Sequence, residues 1–334
     1  MKDPVTGFEY PAEWVAKVAS PEQLRLAAGG LAVLTSSGIV LRRGFTTGTT
    51  AAAAAKASVL SLKEDVREVP ITLPCGLCVE VPVSGHAGCA RSEKYAGDYP
   101  ADVTAGLEFR AEASYADGEI TVMFGEGIGR FSRDTPRFRK GAPAVSPTAL
   151  SSIVQAIREA VDTIGVPGIT VQISAPAGSA VAEKTLNPRM GVTGGISVLG
   201  TTGLVEPWDD HLTGSVLERI ASADRPVITT GRIGLRFSRL LYPEREVILV
   251  GGNLKDALAA ARGEIILCGL PALILRFIDP QILEGTGFLT VEELAASPAF
   301  PARCSEALRS FRRAHPSVTV VLINREGRII GESP

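Results

Sequence analysis

Residues 227–269 carry a clear fold signal and read VITTGRIGLRFSRLLYPEREVILVGGNLKDALAAARGEIILCG. Short apolar runs at 227–230, 247–250 and 265–268 alternate with segments of helix-forming residues. Strands that alternate with helices are typical of βαβ units, in which neighbouring strands run parallel. The stretch therefore predicts a Rossmann-like α/β arrangement, which a further helix over 212–222 precedes.

The N-terminal half shows a different pattern. Between residues 66 and 124, short β-branched runs such as VPITL, CVEVPV and EITVMF are separated by Pro, Gly and an Asp-Gly pair. These runs predict a mostly antiparallel sheet in which Asp117-Gly118 is the clearest hairpin turn. One helix is predicted to begin near Thr49 or Thr50, with a threonine as N-cap. Another is predicted to begin at Ser146-Pro147 and to end at Gly165.

Together the patterns predict two domains. The first is an α+β N-terminal domain with a mostly antiparallel sheet and helices, and the second is a smaller α/β Rossmann-like parallel-sheet domain. The boundary is placed near residue 207, which gives domains 1–207 and 208–334. A last apolar strand within residues 318–330 is left open between the two domains.

The composition excludes several classes of protein. The 334 residues include 34 Lys and Arg against 36 Asp and Glu, and 45% are hydrophobic, which excludes a disordered chain and a globally basic nucleic-acid binder. The start of the chain lacks the apolar region of a signal peptide, and no run of about 18 apolar residues exists. The five cysteines are typical of reduced thiols. We expect a cytoplasmic protein that binds neither nucleic acid nor membrane, and a homo-oligomer is left open.

Common catalytic and metal motifs are absent or weak. The chain has no GxxxxGK[ST], HExxH or GxSxG motif, and its three histidines are scattered in sequence. Cys75, Cys78, His86 and Cys89 form a C-x2-C-x7-H-x2-C series of zinc-type ligands. A strand that begins at Cys78 carries the chain away before His86, so we expect no protein-bound metal.

Two strand-to-helix turns are candidate ligand contacts. One contains Gly231 and Arg232, and the other spans residues 250–253. Glycine after a parallel strand lets a ligand approach the backbone, and the following helix N-terminus favours an anion. Neither turn matches GxGxxG, so a purely structural turn is equally compatible with the sequence.

Basic residues cluster in two places in this nearly neutral chain. Arg42 and Arg43 precede a glycine-threonine segment, and Arg130, Arg133, Arg137, Arg139 and Lys140 follow within a short span. Guanidinium groups pair well with carboxylates and phosphates, so a multiply anionic ligand fits these clusters. A solvated charged loop is the other interpretation of the second cluster.

Five segments carry a family resemblance: RGFTTGT at 43–49, AGDYPADVTAG at 96–106, GEGIG at 125–129, TLNPRMGVTGGISVLGTTGLVEP at 185–207, and TTGRIG at 229–234. In this order they resemble the motifs of the cobalt-precorrin-5B C1-methyltransferase family. The resemblance covers roughly residues 40–235 and implies an α+β domain followed by a smaller α/β domain. It implies transfer of a methyl group from S-adenosylmethionine to C1 of cobalt-precorrin-5B, giving cobalt-precorrin-6A in anaerobic cobalamin (vitamin B12) biosynthesis.

The resemblance and the local chemistry together give a set of expected substrate- or donor-binding residues, while no catalytic residue is assigned. They are Arg43, Thr46, Thr47, Gly48, Thr49, Asp98, Asp102, Thr104, Asn187, Arg189, Gly194, Gly195, Thr201, Thr202, Gly203, Gly231 and Arg232. An exposed Arg43 is expected to pair with a substrate carboxylate. Hydroxyls and open amides of residues 46–49 are expected to hold an anionic group, and the glycine-rich segment 185–207 is expected to wall the site.

Two other functions remain open at this point. The last quarter lacks the Gly-Lys segment and the Thr-His-Ser triplet usual in the family, which suits a relative that binds a tetrapyrrole or adenosyl ligand without turnover. A nucleotide-dependent oxidoreductase built on the C-terminal βαβ units ranks last, because GxGxxG is absent. The expected partner of the leading function is an anionic cobalt tetrapyrrole.

Overall fold

The computed structural model describes residues 1–99, 102–134, 138–188, 190–207 and 216–334. The helices up to residue 164 are α1 (Ala12–Val15), α2 (Pro21–Ala28), α3 (Thr47–Leu60) and α4 (Pro147–Ile164). The strands before α4 are β1 (Ala32–Leu34), β2 (Val40–Arg42), β3 (Gly44–Phe45), β4 (Val66–Thr72), β5 (Cys78–His86), β6 (Cys89–Glu93), β7 (Glu108–Tyr115), β8 (Ile120–Phe124), β9 (Gly127–Ile128) and β10 (Arg130–Phe131).

After α4 the elements become shorter. The strands are β11 (Ile169–Ser174), β12 (Val192–Thr193), β13 (Gly195–Ile196), β14 (Leu204–Val205), β15 (Val227–Thr229), β16 (Val247–Leu249), β17 (Ile265–Gly269), β18 (Val318–Ile323) and β19 (Ile329–Glu332). The helices are α5 (Gly178–Ala182), α6 (Val216–Ser222), α7 (Arg232–Leu241), α8 (Leu254–Ala260), α9 (Pro271–Ile278), α10 (Val291–Ala295) and α11 (Phe300–Ala314).

Backbone contacts divide the chain into two compact units. The central unit is Leu41–His211, and the terminal unit combines Met1–Val40 with Leu212–Pro334. This grouping differs from the predicted domain 1–207, because residues 1–40 pack against the C-terminal segment. The Phe8 ring lies 5.1 Å from the Phe237 ring, and the Ser36 amide donates a 2.9 Å hydrogen bond to the Leu240 carbonyl.

The main sheet of the central unit has the strand order β4-β5-β6-β7-β11-β8. Its pairs are antiparallel except for β11 and β8, which run parallel, so a mostly antiparallel sheet is confirmed. The predicted hairpin at Asp117-Gly118 is wrong. β11 lies between β7 and β8 and pairs with both, so the turn joins two strands that do not pair with each other.

Helix α3 is buried among the other elements of the central unit. The alanines from Ala51 to Ala55 have no exposed surface, because their small side chains let neighbouring elements approach on all sides. The helix begins at Thr47 with Thr46 as N-cap, earlier than the predicted start near Thr49 or Thr50. The predicted α4 is confirmed: Ser146 caps its start, and Gly165 ends it with a φ of 67°.

Lys56 connects α3 to two neighbouring elements. Its Nζ donates hydrogen bonds to the Pro70 carbonyl on β4 at 2.8 Å and to Glu159 Oε2 on α4 at 2.6 Å. Burial would raise the pKa of Glu159, but hydrogen bonds from Lys56 and Gln155 and the Lys56 charge outweigh it and hold that pKa below its usual value.

The terminal unit contains a second sheet with the strand order β16-β15-β17-β18-β19. The first four strands run parallel, which confirms the predicted parallel strands, and β19 is antiparallel. The strand predicted within 318–330 pairs with β17 in this sheet. Apolar residues of α6, α8, α9, α10 and α11 share one core cluster with these strands. The predicted capping box of Thr290 and Glu293 starts α10.

Candidate functional site

The glycine-threonine segment at the start of α3 is bonded to residues 197–203. The Gly48 amide donates to the Leu199 carbonyl at 3.0 Å, and the Thr49 hydroxyl donates to the Gly203 carbonyl at 2.7 Å. The Thr47 hydroxyl donates to the Ser197 carbonyl and accepts from the Leu199 amide, each at 3.0 Å.

Open backbone amides at residues 46–49 are expected from the sequence to hold an anionic group. The hydrogen bonds show that most of these amides already have partners within the protein. Thr46 Oγ1 accepts from the Thr49 amide at 3.2 Å, and the Thr50 amide donates to the Thr46 carbonyl at 3.0 Å. The amides of Gly48, Thr49 and Thr50 are therefore not open to an anion. The segment instead holds 197–203 in place, and any ligand contact through it stays a prediction.

Three glycines of 185–207 serve close packing within the central unit. A β-carbon on Gly195 would collide with the backbone of Gly127, to which β13 is paired, and one on Gly200 would collide with the Thr46 side chain. One on Gly203, whose φ is +84°, would lie 2.9 Å from Leu73 Cδ2. Of these four glycines, only Gly194 could carry a β-carbon that meets no other atom within 4 Å. Close packing of the backbone therefore explains Gly195, Gly200 and Gly203, where the sequence predicted room for a ligand. A ligand contact elsewhere along the segment stays a prediction.

Arg43 is buried, contrary to the exposed position expected from the sequence. Its side chain has no exposed surface, and its Nε donates to Glu206 Oε1 at 3.2 Å. Glu206 lies just after β14, which pairs with β3 beside Arg43. The Arg43–Glu206 ion pair thus connects the segment before α3 to the segment that follows β14. The neighbouring Arg42 side chain is exposed.

Asp98, Asp102 and Thr104 belong to a polar segment beside β6. Asp98 Oδ2 accepts from the Arg42 amide at 2.7 Å. Asp102 accepts from Lys94 Nζ and from the Thr104 hydroxyl, and the Lys94 and Asp102 side chains are 3% and 4% exposed. Burial would raise the pKa of Asp102, but the bonds from Lys94 and Thr104 and the Lys94 charge outweigh it and lower that pKa.

The other predicted residues of 185–207 have separate surroundings. Asn187 Nδ2 donates to the Gly195 carbonyl at 3.2 Å, and its Oδ1 accepts from the Ser197 hydroxyl at 3.0 Å. Thr202 Oγ1 bonds to the backbone of Leu204. Thr201 is exposed. Arg189 lies outside the described residues.

The second basic cluster lies at the surface of the central unit. Arg130 donates to the Gly141 and Phe124 carbonyls, each at 3.0 Å, and so braces its own loop. Arg133, Arg139 and Lys140 are exposed, while Arg137 lies outside the described residues. Arg130 therefore has a structural role in its own loop, and the three exposed cations fit both a solvated loop and a site for an anionic partner.

The terminal unit contains a cavity of about 480 Å³ near the carboxyl ends of β15 and β16. Its lining includes the predicted residues Gly231 and Arg232 together with the polar residues Thr230, Asn253 and Asp256. Thr230 and Asn253 belong to the two candidate turns, and Asp256 is an addition. Their signal was the pair of strand-to-helix turns, because parallel strands bring such turns to one edge of a sheet.

Apolar side chains complete the wall of this cavity. Val216, Leu217, Leu249, Val250 and Ala257 line it beside the polar residues. A cavity with apolar walls and a few convergent polar groups is typical of a small-molecule site. The volume suits one medium-sized ligand.

The cysteine series has no cluster of metal ligands around it. Among the described residues, no three His, Cys, Asp or Glu side chains lie in an arrangement suited to a metal ion. His86 Nδ1 instead lies 2.7 Å from Asp65 Oδ1 at an exposed position, and Cys78 and Cys89 are exposed. The expectation that the protein binds no metal stays a prediction.

No helix within the described ranges is long and apolar enough to span a membrane.

The fold and the cavity define a mixed α/β protein with a ligand-sized site at the carboxyl ends of parallel strands. Residues 34–207 match the CbiD family model. The cobalt-precorrin-5B C(1)-methyltransferase of Methanoregula boonei is 59% identical over the full length of both chains, and that of Methanoculleus marisnigri is 58% identical, again over both full lengths. The chain belongs to the CbiD family.

A solved structure agrees with this membership. The crystal structure of a cobalamin biosynthesis protein (cbiD) from Archaeoglobus fulgidus matches with a TM-score of 0.57 and 38% identity, covering 83% of this chain and 92% of that chain. The two full-length relatives also include the last quarter, where the sequence lacked expected motifs. Lack of those motifs is therefore no argument for a binding-only relative.

Proposed function

We propose that the protein transfers the methyl group of S-adenosylmethionine to C1 of cobalt-precorrin-5B, giving cobalt-precorrin-6A in anaerobic cobalamin biosynthesis. The observation that carries this proposal is the 59% identity to a cobalt-precorrin-5B C(1)-methyltransferase over the full length of both chains. This similarity spans both units of the chain.

The proposed chemistry suits the residues present. A carbon of the electron-rich macrocycle attacks the sulfonium methyl, the new carbon–carbon bond forms, and the sulfur–methyl bond breaks to leave a thioether. This displacement needs aligned reactants in a dry site more than it needs a protein nucleophile. The scarcity of histidine is therefore no obstacle.

The predicted residues of the central unit would act mainly by shaping the site. Thr47, Gly48 and Thr49 fix the segment from which Leu199 and Thr201 project, and Leu199 is 50% exposed. An exposed apolar side chain beside a hydroxyl suits the face of a macrocycle. Arg42, Arg133, Arg139 and Lys140 are exposed cations that suit its carboxylates.

The test is incubation of the purified protein with deuteromethyl-labelled S-adenosylmethionine and cobalt-precorrin-5B, followed by mass spectrometry of the macrocycle. The proposal predicts a macrocycle that carries one labelled methyl group and appears together with S-adenosylhomocysteine. An unlabelled macrocycle, from protein that binds both ligands, would support a binding-only relative instead.

A further inference from the structure

We propose that the cavity at the carboxyl ends of β15 and β16 is the binding site for the adenosyl methyl donor, and that it holds the donor's amino-acid end at the start of α7. The inference rests on the proposed function and assigns one of its two ligands to a particular place. The cavity is lined by one βα turn after each of two neighbouring parallel strands, together with residues from α6 and α8.

The size and lining of the cavity suit the adenosyl donor. Leu217, Leu249 and Val250 offer apolar surface that suits a flat purine, and the volume of about 480 Å³ suits a nucleoside with a short side chain. A tetrapyrrole with its rim of carboxylates needs a far larger surface. Of the two ligands of the proposed reaction, the donor is the one that fits.

A nearly buried threonine lies at the cavity wall. Thr230 is 9% exposed and lines the cavity, and its hydroxyl has no hydrogen-bond partner among the described residues. A hydroxyl that borders a cavity without a protein partner is free to bond a ligand atom or water there. Gly231, directly after it, leaves the backbone accessible, because a β-carbon there would meet no atom within 4 Å.

Charged groups at the rim of the cavity suit the two polar ends of the donor. No side chain caps the N-terminus of the ten-residue helix α7, and Arg232 is its first residue. A helix N-terminus with an adjacent guanidinium favours a carboxylate, such as that of the donor's methionine part. Asp256, in the first turn of α8, supplies an acceptor for ribose hydroxyls. Neither Arg232 nor Asp256 has a hydrogen-bond or ion-pair partner among the residues that the structure describes.

A matched pair of glycines gives the test. Gly231 lines the cavity and Gly252 does not, yet a β-carbon at either position meets no atom within 4 Å and neither glycine has a positive φ. Gly231→Val should therefore place two methyl groups beside the cavity without a clash in the protein. Gly252→Val adds the same bulk to the neighbouring turn outside the cavity wall.

The measurement is titration calorimetry of the full-length protein with S-adenosylhomocysteine and, separately, adenosine. Gly231→Val should weaken both affinities at least about tenfold, with Gly252→Val close to wild type. Arg232→Ala should weaken S-adenosylhomocysteine binding about tenfold and leave adenosine binding unchanged, because adenosine lacks the carboxylate. Asp256→Asn, at an exposed position, provides a second cavity variant and should weaken both ligands.

The outcomes separate this inference from the proposed function. Wild-type affinity in the Gly231→Val and Asp256→Asn variants would overturn the donor site, while methyl transfer by the same proteins would leave the function standing. Equal losses in Gly231→Val and Gly252→Val would also overturn it, because they would show a general effect on the turns. Equal losses of adenosine and S-adenosylhomocysteine in Arg232→Ala would overturn the orientation. Failure of the wild-type protein to bind either ligand would contradict the proposed function itself.

Discussion

Arg43 Nε lies 3.2 Å from Glu206 Oε1, and the Arg43 side chain has no exposed surface although the two residues are 163 positions apart. The ion pair connects the segment before α3 to the end of the glycine-rich segment 185–207. Residues at the N-terminus of α3 also bond to this segment. This part of the central unit is therefore a tightly bonded scaffold, and substitutions within it act on folding before they act on binding.

Arg43→Ala should lower the free energy of unfolding by about 3 kcal/mol, because it leaves a partly buried carboxylate without its guanidinium. Arg42→Ala is the matched control: its side chain is exposed, and the expected change is within about 0.5 kcal/mol. Urea denaturation of both variants provides the measurement. Equal stabilities of the two variants would show that the pair contributes nothing to folding.

Asp102→Asn should destabilise the protein at neutral pH, since Lys94 would remain buried without a counter-charge. The folded-state pKa of Asp102 is lowered, so its contribution is present above the pKa of an unfolded aspartate, roughly 3.9, and is lost as the pH falls through the folded value. The stability difference between wild type and variant, measured at a series of pH values, should therefore shrink on acidification. A difference that stays constant down to the lowest pH would contradict the assigned ionisation.

Thr47→Val should loosen the segment 197–203. The substitution removes the acceptor of the Leu199 amide and the donor to the Ser197 carbonyl, and losing these partly buried hydrogen bonds should cost about 1 kcal/mol each. Hydrogen exchange of the Leu199 amide should accelerate, while Thr201→Val, at an exposed site, should leave it unchanged. Unaltered exchange in Thr47→Val would remove the proposed scaffold role.

Gly195→Ala should destabilise the protein by more than about 3 kcal/mol, because the new methyl group meets the Gly127 backbone, which cannot move aside like a side chain. Its neighbour Gly194 has a φ of +75° and open space around it, so Gly194→Ala should cost only roughly 1–2 kcal/mol of left-handed strain. Thermal unfolding of the two variants compares them. A smaller loss for Gly195 than for Gly194 would contradict the packing explanation.

Local signals in the sequence were enough to predict several elements. The Ser-Pro start and glycine end of α4, the capping box of α10 and the alternation behind the parallel strands all depend on residues close together in the chain. Two turns of this alternation, around Gly231 and at 250–253, also indicated the cavity. Turns that follow neighbouring parallel strands lie at the same edge of the sheet, so their proximity does not depend on the rest of the fold.

Contacts between residues far apart in the chain could not be predicted from such local signals. β11 lies between β7 and β8 although it comes about 50 residues after Asp117-Gly118 in the chain, so the residues of that turn give no sign of it. The burial of Arg43 depends on Glu206, and the use of the α3 amides depends on Leu199 and Gly203, all about 150 residues away. A glycine-threonine cluster alone does not distinguish a ligand site from a scaffold.

Methyl transfer to C1 is tested by the position of the new methyl group in the product. The protein is incubated with carbon-13 methyl-labelled S-adenosylmethionine and cobalt-precorrin-5B, and the labelled carbon of the isolated product is assigned by two-dimensional NMR. We expect a single labelled methyl group attached to C1 of the macrocycle. A label on any other ring carbon, or a macrocycle without label in the presence of bound donor, would contradict it.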